Sequence, residues 1–331
     1  MRRRDCLVRL GGALVAWPLA AHAQPLEHKR IAILTGLPRD DPEGEARLSA
    51  FLQGMARLGW TVGRDLEIEH RAAGRDPERY REYAQELVAL RPDLFLAGGT
   101  PAVVSLQAAL QRVARGAVPV VFANATDPAG NGYFARLARP GRNTAGVMNF
   151  EARFAWKWLE LLKQVAPHVT RVAILRSENS TGTGQVEAVR ATLPRFGVEL
   201  MALGDHDPGE IERGIAAFVH GPTDGLIVTA QLAQAERAHV VALAARYRLP
   251  AVYPFRRYVS EGGLISYGSD QIEPFRRAAG YVDRILTGER PIALPVQGPA
   301  RYETAVNLKT ARALGLDVPP PVLMRADEVI E

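Results

Sequence analysis

The pentapeptide "RIAIL" at residues 30–34 returns as "RVAIL" at Arg171–Leu175, and each copy opens the same rhythm of segments. A short, continuously apolar run is followed by a helical segment and then by another apolar run, several times over. A strand with one wet face alternates apolar and polar residues. A strand apolar at every position is covered on both faces, as parallel strands beneath helices are. After the first pentapeptide comes a helix over residues 45–58, with Leu48, Phe51, Leu52, Met55 and Leu58 at helical spacing. The strand "LEIEHRA", a helix over residues 79–90, the strand "DLFLA", the helix "PAVVSLQAALQRVA" and the strand "VPVVFAN" follow. The second half restarts with a helix carrying Phe154, Trp158, Leu161, Leu162 and Val165. "RVAIL" leads on to a helix near residues 184–195, the strand "VELMAL", a helix near 208–219, the strand "DGLIVTA", a helix near 233–246 and the strand "PAVYP". Two such runs predict an α/β protein of two doubly wound, Rossmann-like lobes.

The tail adds the strand "GGLISYG", a helix over 275–286 closed by Gly288 and Pro291, the strand "ETAVNL", a short helix to Gly315 and an extended "VPPPVL". This is one βα unit and one strand more than the second lobe requires. The economical path returns to the first lobe and ends in the second, so the chain crosses several times and the lobes form a hinged cleft. A length of 331 residues agrees with two domains.

The start of the chain stands apart from this rhythm. Arg2, Arg3, Arg4 and Arg9 precede or border an apolar run ending at Ala20, and Ala21-His22-Ala23 has small-x-small spacing. Residues 1–23 read as a cleavable export signal, cut near Ala23/Gln24, which implies a periplasmic protein. Cys6, the only cysteine, lies before the apolar run, so the mature chain has no disulfide and no thiolate metal site. Of the net charge of +5, the signal's four arginines and Asp5 account for +3, leaving +2. The remaining charges are mixed, as in "RDPERYREYAQE", and nothing indicates nucleic acid.

In open α/β sheets, ligands sit beyond the carboxyl ends of the strands. Those positions offer Thr35 and Gly36 after "RIAIL", Gly99 and Thr100 in "GGTPA", and Asn124, Thr126 and Asp127 after "VPVVFA". The second half offers Ser177, Asn179 and Ser180 after "RVAIL", Gln231 after "DGLIVTA", Tyr253 in "PAVYP" and Tyr267 in "GGLISYG". Thr100 is expected as an N-cap with Pro101 at the first helical position, aiming free N–H groups at an anion. These are neutral hydrogen-bonding groups and aromatics with few charges, suited to a small polar or amino-acid-like solute. In "TDPAGNGYFARLARPGRNTAG", residues 126–128 read as the lip of the cleft, 133–138 as a covering helix and 144–148 as the first hinge strand.

Motifs for catalysis are missing. "STGTGQ" has no following GK[ST], no G-x-G-x-x-G closes the first strand, and no G-x-S-x-G elbow occurs. His28, His70, His168, His206, His220 and His239 are dispersed, with no metal-binding pair. Neither a cofactor nor an enzymatic activity is expected.

Several longer stretches carry a resemblance: "TDPAGNGYFARLARPGRNTAGV", "YVSEGGLISYGSD", "RRAAGYVDRILTGERP", "VNLKTARALGLDVPP" and "RADEVIE". On these the chain resembles the ABC transporter substrate-binding proteins, whose members include tryptophan and aromatic amino-acid binders. The resemblance implies a type I periplasmic binding protein fold with three hinge strands. It places the first lobe at 29–145 plus 266–291 and the second at 146–265 plus 292–331. It also implies a small-molecule ligand, ABC permease subunits as partners, and ligand contacts from Thr100, Asp127, Asn179 and Ser180. Where some relatives carry Thr-Asp after "DGLIV", this chain has Thr229-Ala230-Gln231, lacking an acid for a ligand amine. A sensor for a membrane kinase and a two-lobed nucleotide-sugar enzyme are the alternatives with this architecture.

Overall fold

The computed structural model describes residues 28–74, 76–113, 118–126, 143–176, 183–204, 208–230 and 236–331. The export signal, Asp127, the helix expected over 133–138, Ser177, Asn179, Ser180 and Gln231 lie outside the described residues.

The first sheet has six strands in the order β11-β5-β4-β3-β1-β2. They are β1 (Lys29–Thr35), β2 (Leu66–Ala72), β3 (Leu94–Gly98), β4 (Val120–Thr126), β5 (Thr144–Phe150) and β11 (Val296–Gln297), all paired in parallel. The second sheet has seven, in the order β13-β12-β10-β9-β8-β6-β7. They are β6 (Arg171–Leu175), β7 (Glu199–Leu203), β8 (Asp224–Val228), β9 (Ala251–Tyr253), β10 (Ile265–Gly268), β12 (Glu303–Asn307) and β13 (Glu328–Ile330). β12 pairs antiparallel with β10, and β13 pairs parallel with β12, so these two edge strands run opposite to the other five. The orders 2-1-3-4-5 and 7-6-8-9-10 are the same motif, and the repeated pentapeptides occupy equivalent strands in it, β1 and β6, each second from the edge.

Continuous apolarity is resolved by the pleat. Ile31 and Ile33 of β1 enter one core, with Phe51, Met55, Phe275 and Val282. Ala32 and Leu34 enter the opposite core, with Tyr80, Leu87, Phe95 and Leu106. Helices α1 (Pro42–Arg57) and α10 (Glu273–Leu286) cover the first face; α2 (Pro77–Ala89) and α3 (Thr100–Arg112) cover the second. The second sheet is wrapped by α4 (Trp156–Val165), α5 (Thr183–Arg190), α6 (Leu193–Phe196), α7 (Pro208–Phe218), α8 (Arg237–Arg246), α9 (Arg256–Ser260), α11 (Leu308–Leu314) and α12 (Pro320–Leu323). Trp158 and Phe150 stack at 4.7 Å within its core.

The chain passes between the sheets after β5, at residues 269–272 between β10 and α10, and at 298–302 between β11 and β12. The crossovers therefore lie a few residues downstream of 145/146, 265/266 and 291/292. β5 is a full strand of the first sheet and β10 a strand of the second, so residues 144–148 are not themselves a crossover. The segment "VPPPVL" is also corrected. Pro320 and Pro321 occupy the first turn of α12, after Pro319 as N-cap, where a missing N–H leaves no helical bond unmade. The helix expected near 184–195 is two pieces, α5 and α6, with a turn between them.

Candidate ligand cleft

The strand order reverses between β1 and β3 in one sheet and between β6 and β8 in the other. Loops leaving such a pair diverge and open a crevice at the carboxyl ends. Thr35, Gly36, Gly99 and Thr100 border the first of these switch points; Arg176 and Thr229 border the second.

At β1, Thr35 Oγ1 lies 2.9 Å from His70 Nε2. Burial, with Arg39 and Arg71 alongside, pushes His70 down to about 4, so its imidazole is neutral at pH 7. Gly36 packs beneath Tyr80: a Cβ there would stand 2.3 Å from the Tyr80 hydroxyl. Gly99, at φ 95°, is the N-cap of α3, a conformation strained for any residue with a Cβ. Thr100 is thus the first helical residue and not the cap. Its hydroxyl donates to the Thr126 carbonyl at 2.9 Å and accepts from the Thr126 N–H at 3.1 Å, tying α3 to the end of β4.

Asn124 is left-handed, at φ 55°, and sits where the β4/β5 register shifts. A bulge of this kind re-aims a side chain. The Asn124 amide nitrogen donates to the Gln271 carbonyl at 2.6 Å, while its Oδ1 is buried without a partner. Thr126 Oγ1 donates to Asn149 Oδ1, and Asn149 Nδ2 reaches Gln271 Oε1 at 3.4 Å. The first-lobe strand ends are therefore wired to the crossover at 269–272.

In the second lobe, Gln185 Oε1 accepts from the Ala230 N–H at 3.0 Å. Gln185 Nε2 and Thr229 Oγ1 are buried with no partner. Tyr253 is only 1% exposed and stacks on Tyr258 at 5.0 Å, so it is part of the second core. Tyr267 stacks on Tyr302 at 5.2 Å. Tyr302, on the third crossover, also accepts from the Glu151 N–H of the first at 2.9 Å. The two tyrosines join the crossovers to one another.

The lobes meet through an ionic cluster. Asp41 caps α1 by accepting from Glu43 N and Gly44 N, which places Glu43 in the first turn, where the helix dipole favours an acid. Across the cleft, Glu43 Oε2 lies 3.3 Å from Arg257 Nη1 and 3.8 Å from Arg237 Nη1. Arg237 Nε and Arg257 Nε reach Glu261 at 2.7 and 3.2 Å. On α1 itself Arg47 Nη2 donates to Glu43 and, at 3.2 Å, to Gln271 Oε1. Burial holds Arg47 below the ordinary arginine range despite Glu43. Burial also acts against Arg237, but the hydrogen bond and charge of Glu261 outweigh it and raise that group. A cavity of about 780 Å³ opens beside the cluster, lined from both lobes by residues including Glu43, Arg257, Gln271, Thr304 and Glu328.

Glu43, Arg47, Asn149, Gln185, Thr229, Arg237 and Gln271 were not among the expected site residues. The Glu43/Arg47 spacing is a visible i,i+4 pair, and "DDPEGE" is a visible helix start. Their partners lie some two hundred residues away and leave no local mark. The arrangement supplies hydrogen-bond donors, acceptors and fixed charge around a crevice, chemistry for holding a solute. Among the described residues, no group of three or more His, Cys, Asp and Glu is arranged to hold a metal ion, and no helix is long and apolar enough to cross a membrane.

Similar folds are known. A conserved domain protein from Vibrio cholerae is 22% identical, with a TM-score of 0.81 over 92% of this chain and 100% of its own. The ABC domain in complex with L-Trp from Streptococcus pneumoniae is 24% identical, with a TM-score of 0.80 over 92% and 100%. A ligand-free, open substrate binding protein with adhesive properties from Clostridium difficile is 23% identical, with a TM-score of 0.66 over 91% and 99%. No curated protein matches the chain. The family model described as ABC transporter substrate binding protein matches residues 37–330. With that match spanning every crossover and every strand but β1, the chain belongs to the ABC transporter substrate binding protein family.

Proposed function

We propose that the protein is an exported receptor that captures a small polar solute between its lobes and delivers it to an ABC permease. The observation that carries this reading is the contact between the lobes. It is made by charged side chains 3.3 and 3.8 Å apart over three crossovers, beside strand ends that hold unpaired buried polar atoms. Polar contacts can part and re-form as the lobes rotate, because water replaces each bond that is lost. A solute that bonds to both lobes stabilises closure by its additional contacts in the closed state, and by no more than that.

In this reading Thr35, Gly36, Gly99, Asn124 and Thr126 form the first-lobe wall, and Asp127 is a further ligand contact expected from the sequence. Ser177, Asn179, Ser180 and Gln231 are the contacts expected from the second half of the sequence. Thr100 holds Thr126 in place. Residues 1–23 direct export to the periplasm and are removed. The test is a thermal-shift screen of the mature protein against amino acids, organic acids, sugars and nucleosides. A binder present at a hundred times its dissociation constant adds roughly 2.7 kcal/mol of stability. Chemical conversion of the binder, followed by chromatography, would refute a receptor role.

A further inference from the structure

We propose that the solute is an organic acid of net negative charge, and that Arg47 is the residue that receives its carboxylate. This rests on the receptor reading and gives it a substrate class.

The lobe-bridging cluster holds three guanidinium groups, Arg47, Arg237 and Arg257, and two carboxylates, Glu43 and Glu261. Arg237 and Arg257 each touch both carboxylates. Arg47 touches Glu43 alone, the carboxylate already shared with the other two. Asp41 is the further acid near Arg47, but it makes no ion pair with it, so Arg47 holds the least compensated charge of the three guanidinium groups. Its side chain is 11% exposed, and its Nε is buried with no hydrogen-bond partner. An unpaired N–H on a buried guanidinium is costly, and the planar edge of that group matches a carboxylate. The depressed proton affinity of Arg47, caused by burial, marks the same shortfall.

Glu43, Ala46 and Gln271, the neighbours and partners of Arg47, line the cavity between the lobes. Arg47 stands on α1, the helix that follows the β1 loop at the switch point. Through Gln271 it connects to Asn124 and Asn149, and through Asn149 to Thr126, at the strand ends. A neutral solute would bring no charge to the poorly compensated Arg47. A zwitterion would bring an ammonium group beside three guanidinium groups. An anion meets that cation and its open donor together.

The experiment uses matched triples: lactate, lactamide and alanine; phenyllactate, its amide and phenylalanine; indolelactate, its amide and tryptophan, with a panel of sugars alongside. Binding to the mature protein is measured by calorimetry. The acid of at least one triple should bind ten-fold or more tightly than its amide and its amino acid. Arg47→Met should abolish that preference, and Arg47→Lys should keep part of it. Melting curves of each variant without solute establish that it is folded. If Arg47→Met does not fold, the wild-type triples and Arg47→Lys decide. A binder that is a sugar, an amide or an amino acid, with no preference for the acid, overturns the inference and leaves the receptor reading standing. An acid preference intact in folded Arg47→Met also overturns it. No binder in any class overturns the receptor reading, and this inference with it.

Discussion

Glu43→Gln should shift the protein toward an open form. The substitution keeps the shape of the side chain and removes one charge that three arginines share. At an effective dielectric constant of about 20, pairs at these separations carry a gross attraction of roughly 4–5 kcal/mol each, most of it offset by dehydration. Removing one partner of a buried pair is costlier than the net worth of the pair, about 3–5 kcal/mol, because a cation is left unmatched. Arg257 is about a third exposed, which places its share at the low end. Arg237 and Arg257 regain water when the lobes part, so their share of the cost falls on the closed form alone. Roughly 1.5–3 kcal/mol of closure energy should be lost, a factor of about ten to a hundred and fifty. Arg47 shares α1 with Glu43, so its loss is felt in both forms and lowers the melting temperature. Small-angle scattering without solute should show a larger radius of gyration, and calorimetry a weaker binder. A folded Glu43→Gln protein with unchanged scattering and affinity would refute the reasoning. So would a double-mutant cycle with Arg257→Met whose coupling is indistinguishable from zero.

Three further outcomes are expected. His70, at about 4 when folded against 6.5 ordinarily, binds fewer protons in the native state, so its contribution is intact above pH 6.5 and lost as pH falls toward 4. Discounted for partial exposure, this is roughly 2 kcal/mol, and thermal melts of His70→Asn between pH 4 and 7 should show a shallower slope than the parent. Gly99→Ala, forced to φ 95°, should cost roughly 1–2 kcal/mol in urea unfolding while Gly221→Ala, with open space around it, costs little. Tyr302→Leu removes the Tyr267 stack and the acceptor for Glu151 N, and hydrogen exchange at residues 150–155 and 298–302 should accelerate; unchanged exchange would deny Tyr302 its tie between crossovers.

The strands were legible wherever burial on both faces left an uninterrupted apolar run. The second pentapeptide coincides with β6; "LEIEHRA", which coincides with the edge strand β2, is half-buried and carries charged residues instead. β11 and β13, of two and three residues, are too short to carry a period, and they exist because a neighbouring strand offers an open edge. The start of α1 was written in "DDPEGE", yet apolar spacing alone places it three residues late. Segment order revealed that the chain returns to the first lobe. The crossovers themselves carry no periodicity, which is why their positions shift by a few residues. Proximity to strand ends selected Asn124 and Thr126, which bond to Gln271 and Asn149, but it also selected Tyr253, which is buried in the core. Glu43 and Arg257 are joined only by the tertiary fold, and no local pattern records a partner 214 positions away.

The path of the chain also sets the order in which the protein can be completed. The core beneath the first sheet needs Phe275, Ala278 and Val282, and its edge needs β11. All of these are synthesised after most of the second sheet has already left the ribosome. A nascent chain ending at β5 exposes the apolar face that α10 will cover, and β10 waits for β12. Long-range closure of this kind slows folding. A polypeptide that stays unfinished until roughly its last fifth is made remains pliable throughout its synthesis, and the segment made last is the one that locks the sheet made first.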